Sequence, residues 1–126
     1  MHIIETLAGG PELVEWFGYI PTFHDAEILS LHLNREGTSR LIIQPYHVLS
    51  GETVSGAYPE PVQVIVVFTL EGVVDLELAG FNHQNVIYGL KIREAPNGYQ
   101  LTLEDCFGLA GTISATRISL AFAVEG

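Results

Sequence analysis

The run at residues 62–70, Val-Gln-Val-Ile-Val-Val-Phe-Thr-Leu, constrains this chain more than any other segment. In an extended backbone Val62, Val64, Val66, Phe68 and Leu70 fall on one face, and Ile65 and Val67 on the other. The run carries no charge, and its β-branched residues suit a pleated strand. At the edge of a sheet it would template aggregation. It therefore predicts a central strand with neighbours on both sides. A chain of 126 residues is long enough to build one core around it, so a single domain over 1–126 is expected.

Period-two alternation recurs along the chain. From Ala26 onward Leu29, Leu31 and Leu33 are expected on the buried face, with Ser30, His32 and Asn34 opposite. Turn residues at 36–39 lead to a second strand over 40–44, which predicts a hairpin that Pro45 ends. Dense Gly, Pro and Ser punctuation makes 46–61 a long loop and a candidate binding surface, with a short edge strand over 52–57 as an alternative. Glu71-Gly72 is expected to turn the chain into a strand over 73–79, which pairs with 86–93 so that Ala79 faces Ile87 and Asp75 faces Lys91. Ala95-Pro96-Asn97-Gly98 is a strong turn signal before a strand over 99–106. Beyond it, Ile113 and Ala115 run out of phase with Ile118, Leu120, Phe122 and Val124, which predicts a bulge, or two strands, near Thr116.

One segment has helical spacing. Leu13, Trp16, Phe17 and Ile20 lie at i, i+3, i+4 and i+7, with Pro11 in the first turn and Pro21 as a stop, predicting a helix over 11–19 that packs on the sheet. Without crossover helices between the later strands, a parallel sheet is disfavoured. The fold class is mainly β: an antiparallel sandwich or strongly curved sheet of about seven to eight strands with one short N-terminal helix.

Composition bounds the function. Hydrophobic residues are 48% and charged ones 16%, which excludes disorder, and a formal charge of −10 opposes phosphate-backbone binding. A basic protein partner suits that charge, as does plain solubility. The single Cys106 precludes an internal disulfide framework and is expected to be a buried structural thiol in a reducing compartment. With neither a leader pattern nor a long apolar run, no membrane association is expected and the cytoplasm is the default location. His2, His24, His32, His47 and His83 show no metal-ligand spacing, nucleophile elbow and phosphate-loop patterns are missing, and no cofactor is expected.

Two polar groups stand out. At the helix-to-strand junction Trp16, Phe23, His24 and Asp25 come together, and His24, Asp25 and Glu27 invite an acid/base reading. Extended geometry puts Asp25 and Glu27 on one surface with His24 facing away, which favours a structural role for the pair. Asn82, His83, Gln84 and Asn85 form a hydrogen-bonding run in a turn.

The stretch 16–31, WFGYIPTFHDAEILSL, resembles the immunity protein 50 family, small mostly β proteins of bacterial polymorphic toxin systems. Residues 67–76, VFTLEGVVDL, and 80–87, GFNHQNVI, look like that family's later blocks, and 108–112 sits where a closing strand would follow. The resemblance implies a cytoplasmic inhibitor that is not an enzyme and that binds a cognate protein toxin and occludes it. Asp25, Glu27, Glu52, Glu60, Asn82, His83 and Asn85 are the candidate partner-binding residues. Homodimerisation through an exposed strand is left open. A second reading is a small-molecule-binding β domain with a pocket between helix and sheet lined by Trp16, Phe23 and Phe68; a third is a hydrolase built on His24 or His83.

Overall fold

A computed structural model describes residues 2–45, 48–49 and 61–125. Its elements are a 3-10 turn at Ile3–Thr6, a helix α1 at Gly10–Phe17, and strands β1 (Glu27–His32), β2 (Thr38–Gln44), β3 (Val48–Leu49), β4 (Pro61–Ala79), β5 (Val86–Ala95), β6 (Gly98–Phe107) and β7 (Ala110–Glu125). Six strands follow one another in the order β2-β1-β5-β6-β7-β4, and pairing of β2 with β4 closes the ring. All strand pairs are antiparallel. The architecture is the strongly curved sheet with one short helix that the residue pattern predicts. β3 adds a short pairing to the start of β4.

The apolar run is central, as its composition demands. Along 66–71 β4 is paired on one side with β2 and on the other with β7, and Val64, Val66, Phe68 and Leu70 are fully buried. The chain does not turn after it. Glu71-Gly72 is a corner within a single strand that continues to Ala79, which corrects the expected turn into a separate strand over 73–79. Gly72 takes φ 62, and a Cβ there would lie 2.4 Å from the Thr116 Oγ1, so the backbone bends where only glycine fits against β7. Thr116 secures the corner by donating from Oγ1 to the Glu71 carbonyl at 2.9 Å. A bulge between Val73 and Asp75 follows.

β7 bends in step with β4. Glu71 faces Arg117 and Val73 faces Ala115, so the register holds through the corner while the buried side chains shift from Ile113 and Ala115 to Ile118 and Leu120. The phase break near Thr116 is thus one bent strand. Because both long strands turn there, each contributes to two sheet segments, the device by which orthogonally packed sheets share strands. One segment is β1-β2 with the first half of β4 and the second half of β7. The other is β5-β6 with the first half of β7 and the second half of β4.

That arrangement also overturns the expected pairing of 73–79 with 86–93. Asp75 faces Ser114, and Lys91 faces Thr102 and approaches Glu104 at 3.4 Å. The final strand covers one side of 73–79, and the chain crosses over the β6–β7 turn before β5 begins, so the two segments never become neighbours. The predicted turn at 95–98 does join β5 and β6, with Asn97 at φ 66 in the left-handed region it tolerates.

The β1–β2 hairpin forms, but a bulge between Ile28 and Ser30 changes which leucines are inside. Ile28 is buried and Leu29 exposed, because the bulge gives Leu29 no opposite residue and shifts the alternation by one position; Leu31 beyond it is half-buried against the core, and Leu33, past the end of β1, is exposed. Its turn is tied by Glu36 N–H to Asn34 Oδ1 at 3.0 Å and Asn34 N–H to Ser39 Oγ at 2.9 Å. Residues 46–47 and 50–60 of the expected loop, the alternative strand over 52–57, Glu52 and Glu60 lie outside the described residues, as do the side chains of Asp105 and Cys106.

The helix ends at Phe17 rather than Tyr19, because Gly18 adopts φ 82 and its N–H closes on the Val14 carbonyl. Leu13 is fully buried, while Trp16, Phe17 and Ile20 are half-buried against the core. The segment before the helix runs beside β7: Ala8 bridges Ser119 in parallel, and Leu120 N–H donates to the Ala8 carbonyl at 2.8 Å. A Cβ on Gly9 would fall 1.8 Å from the Leu120 carbonyl oxygen, so this approach requires glycine.

Candidate interaction surface

The junction is built on two non-glycine residues with positive φ, Phe23 at 60° and Asp25 at 64°. Such conformations are unfavourable for L residues and persist where surrounding contacts impose them. Here the contacts are aromatic and backbone. Phe23 is buried with its ring edge-on to Phe17 (centroids 6.2 Å) and Phe68 (5.6 Å). Asp25 N–H donates to the Ile87 carbonyl at 2.9 Å, and Ile87 N–H to the Ala26 carbonyl at 3.0 Å. The ring is therefore closed between β1 and β5 partly by residues that precede β1.

The turn corrects the expected direction of His24. Asp25 is left-handed rather than extended, so the two neighbouring side chains converge instead of facing apart: His24 Nε2 lies 3.4 Å from Asp25 Oδ2. His24 Nδ1 donates to the Tyr88 carbonyl at 2.7 Å, and its ring meets the Tyr88 ring edge-on at 5.0 Å. This pins the junction to β5. Glu27, paired with Val86, is exposed beside it.

The polar run at 82–85 divides into an inner and an outer part. Asn85 is buried; its Oδ1 accepts from Asn82 N–H and Leu109 N–H, each at 2.9 Å, and its Nδ2 donates to the Asn82 carbonyl at 2.8 Å. It fastens the crossing loop to the β6–β7 turn and presents no surface, so it leaves the set of partner-facing candidates. Asn82 and His83 are exposed, with His83 N–H and Nδ1 both donating to Asn82 Oδ1 at 2.7 Å.

The carboxylates of Asp25 and Glu27 share this end of the ring with aromatics that sequence reasoning missed. Tyr88 and Phe81 are exposed, and Phe107 faces Val86, the residue opposite Glu27. Tyr88 stands out because the β5–β6 register shifts between Ile87 and Gly89, leaving it unpaired at a bulge. The glycine after it was the available signal. Large apolar side chains exposed near one another are characteristic of contact surfaces, and tyrosine is enriched among residues that dominate binding energy.

Of the residues expected to line a small-molecule pocket, Phe68 is fully buried with the Phe23 ring edge-on to it, and Trp16 packs on Phe122 at 5.7 Å and Phe17 at 5.2 Å. A small recess of about 140 Å³ remains at the junction, bounded by Phe17, Tyr19, Phe23 and His24. A groove of about 710 Å³ lies elsewhere, along β5 and β6, bounded by His2, Pro21, Lys91, Arg93 and Gln100. Among the described residues, no three His, Cys, Asp or Glu side chains are grouped to hold a metal ion.

A closed antiparallel ring with an acidic and aromatic end defines a small β protein equipped for contact with another molecule. The chain belongs to the immunity protein 50 family, whose model matches residues 10–123. Membership implies toxin neutralisation and a cognate toxin as partner. No curated protein and no solved structure matches the chain.

Proposed function

We propose that this protein neutralises its cognate toxin by binding it stoichiometrically and occluding its active surface, without catalysis, in the cytoplasm of the cell that makes it. The observation that carries this reading is the family match over residues 10–123, which spans the helix, the junction and both long strands. The junction end supplies chemistry for such contact. Asp25 and Glu27 offer charge, Asn82 and His83 hydrogen bonds, and Tyr88, Phe81 and Phe107 apolar area. Glu52 and Glu60 remain candidates from the sequence. A formal charge of −10 favours rapid encounter with a basic partner, since complementary fields raise association rates and reject wrong partners.

The test is co-expression with the toxin domain encoded beside this chain. Co-purification in a one-to-one complex and rescue of growth are expected. Replacing Tyr88 with Ala should raise Kd by roughly tenfold or more if it anchors the contact. Wild-type chain that neither binds nor protects against neighbouring toxins would end the reading.

A further inference from the structure

Residues 73–79 form a strand edge that no other strand occupies among the described residues. The β2 pairing with β4 ends at Thr38 opposite Glu71, whereas the β7 pairing continues to Ala110 opposite Ala79. Past the Gly72 corner, β4 therefore has one paired side and one open side, and an open side presents backbone N–H and C=O groups ready to accept a further strand.

The side chains on this edge define what would be accepted. Val73 and Leu76 pair with the buried Ala115 and Ile113 and share their face of the sheet, where Val73 is half-buried and Leu76, at the open edge, stays exposed, while Asp75 and Glu77, opposite Ser114 and Thr112, lie on the outer face. Two rows cross that outer face through successive registers. One runs Asp75, Ser114, Gln100, Arg93, and the other Glu77, Thr112, Thr102, Lys91. The sheet is polarised, acidic at the open β4 edge and basic at β5, with neutral hydrogen-bonding residues between. The cations of β5 are already engaged by the neighbouring β6, Lys91 with Glu104 at 3.4 Å and Arg93 Nε with Gln100 Oε1 at 2.7 Å. Asp75 and Glu77 have no ionic partner among the described residues. Val74, in the bulge, is 73% exposed, and beyond Ala79 the chain leads to Phe81, 72% exposed, then Asn82 and His83.

We propose that the open edge of β4 at 73–79 receives an extended segment of the toxin, one carrying Lys or Arg at alternate positions opposite Asp75 and Glu77, as an added strand. The proposal rests on the toxin-binding reading and names its main-chain contact. Charge selects this occupant over a second copy. Two copies meeting edge to edge across a two-fold axis would set Asp75 and Glu77 against the same carboxylates, an arrangement that like charges disfavour. From this edge the chain leads through Phe81 to Val86, which lies opposite Glu27 of the junction.

Amide hydrogen exchange of the wild-type chain, alone and with the co-expressed toxin domain, reads the added strand directly. Amides within 73–79 that point to the open side are expected to slow on binding. In parallel, Asp75→Lys with Glu77→Lys should weaken binding by roughly ten- to a hundredfold with an unchanged melting temperature, while Glu15→Lys on the exposed side of α1 leaves it within about twofold. Toxin that binds the wild-type chain without slowing these amides, or binds the double variant equally well, overturns the strand-addition site and leaves the immunity reading standing. Protection in the isolated chain that rises with its concentration, together with dimers in sedimentation, assigns the edge to a second copy and overturns the proposal. A wild-type chain that binds no neighbouring toxin removes the proposal together with the reading beneath it.

Discussion

Asn85 satisfies two backbone N–H groups and one carbonyl from a buried position, tying the 80–85 crossing to Leu109 at the start of β7. Truncation strands those groups. Asn85→Ala is expected to destabilise the fold by about 3 kcal/mol, read as a lower denaturant midpoint. Two glycines with nearly equal φ provide a sharper comparison. Gly9 and Gly18 sit at 83° and 82°, but a Cβ on Gly9 meets the Leu120 carbonyl oxygen at 1.8 Å whereas one on Gly18 meets nothing within 4 Å. Gly18→Ala should cost only the left-handed penalty, about 1 kcal/mol. Gly9→Ala adds a backbone collision, and thermal melting should show a loss of more than about 2 kcal/mol. Chain position and residue type are the same in kind; the difference lies in what the fold brings alongside.

At the scale of elements, the corner shared by β4 and β7 decides the architecture. Without it, β4 would be two strands, as Glu71-Gly72 suggests, and the ring would lose the strand pair common to both sheet segments. Gly72→Ala is expected to destabilise by about 2 kcal/mol, combining positive φ with the approach to Thr116. In a Thr116→Ala background the same change should cost less, because the Oγ1 that a new Cβ meets at 2.4 Å is gone; a thermodynamic cycle on the four proteins measures that coupling. The helix is held by packing of a different kind. Leu13 is wholly buried, and Leu13→Ala should cost about 2–5 kcal/mol in chemical denaturation.

The whole molecule joins distant parts of the chain. Gln63 faces Glu125, and β1 meets β5 through Glu27 and Val86, so the ring cannot close until the last strand is in place. Such topology predicts folding in milliseconds to seconds rather than microseconds, measurable by stopped-flow Trp16 fluorescence. Its formal charge of −10 acts at the same scale. Toxin association should be fast at low salt and slow as ionic strength rises, while dissociation, governed by close contacts, changes little. Association independent of salt would show that the acidic field plays no part in recognition.

Much of this was legible in the residues. The period of two, the uncharged run at 62–70, the helical stripe of Leu13, Trp16 and Phe17, and the turn at 95–98 are local patterns, and local patterns fix whether a segment is strand, helix or turn. They also located the phase break at Thr116 and the prominence of the 23–27 junction. Partner choice among strands was not legible, because Val73 and its neighbours fit equally well beside 86–93 or beside β7, and only the competition for places around a closed ring selects the latter. The bulges at Leu29 and Tyr88 escaped for a related reason: each moves a side chain by one position according to the strand across from it. Asn85 could be recognised as a hydrogen-bonding residue, but its turn inward depends on Leu109, far along the chain. By itself, then, the amino-acid order determined the kinds of element and the presence of a buried sheet, since those follow from short-range periodicity. Tertiary structure decided the pairing, the exposed aromatics and the open edge of β4, since those depend on which surfaces are left uncovered once distant segments have met.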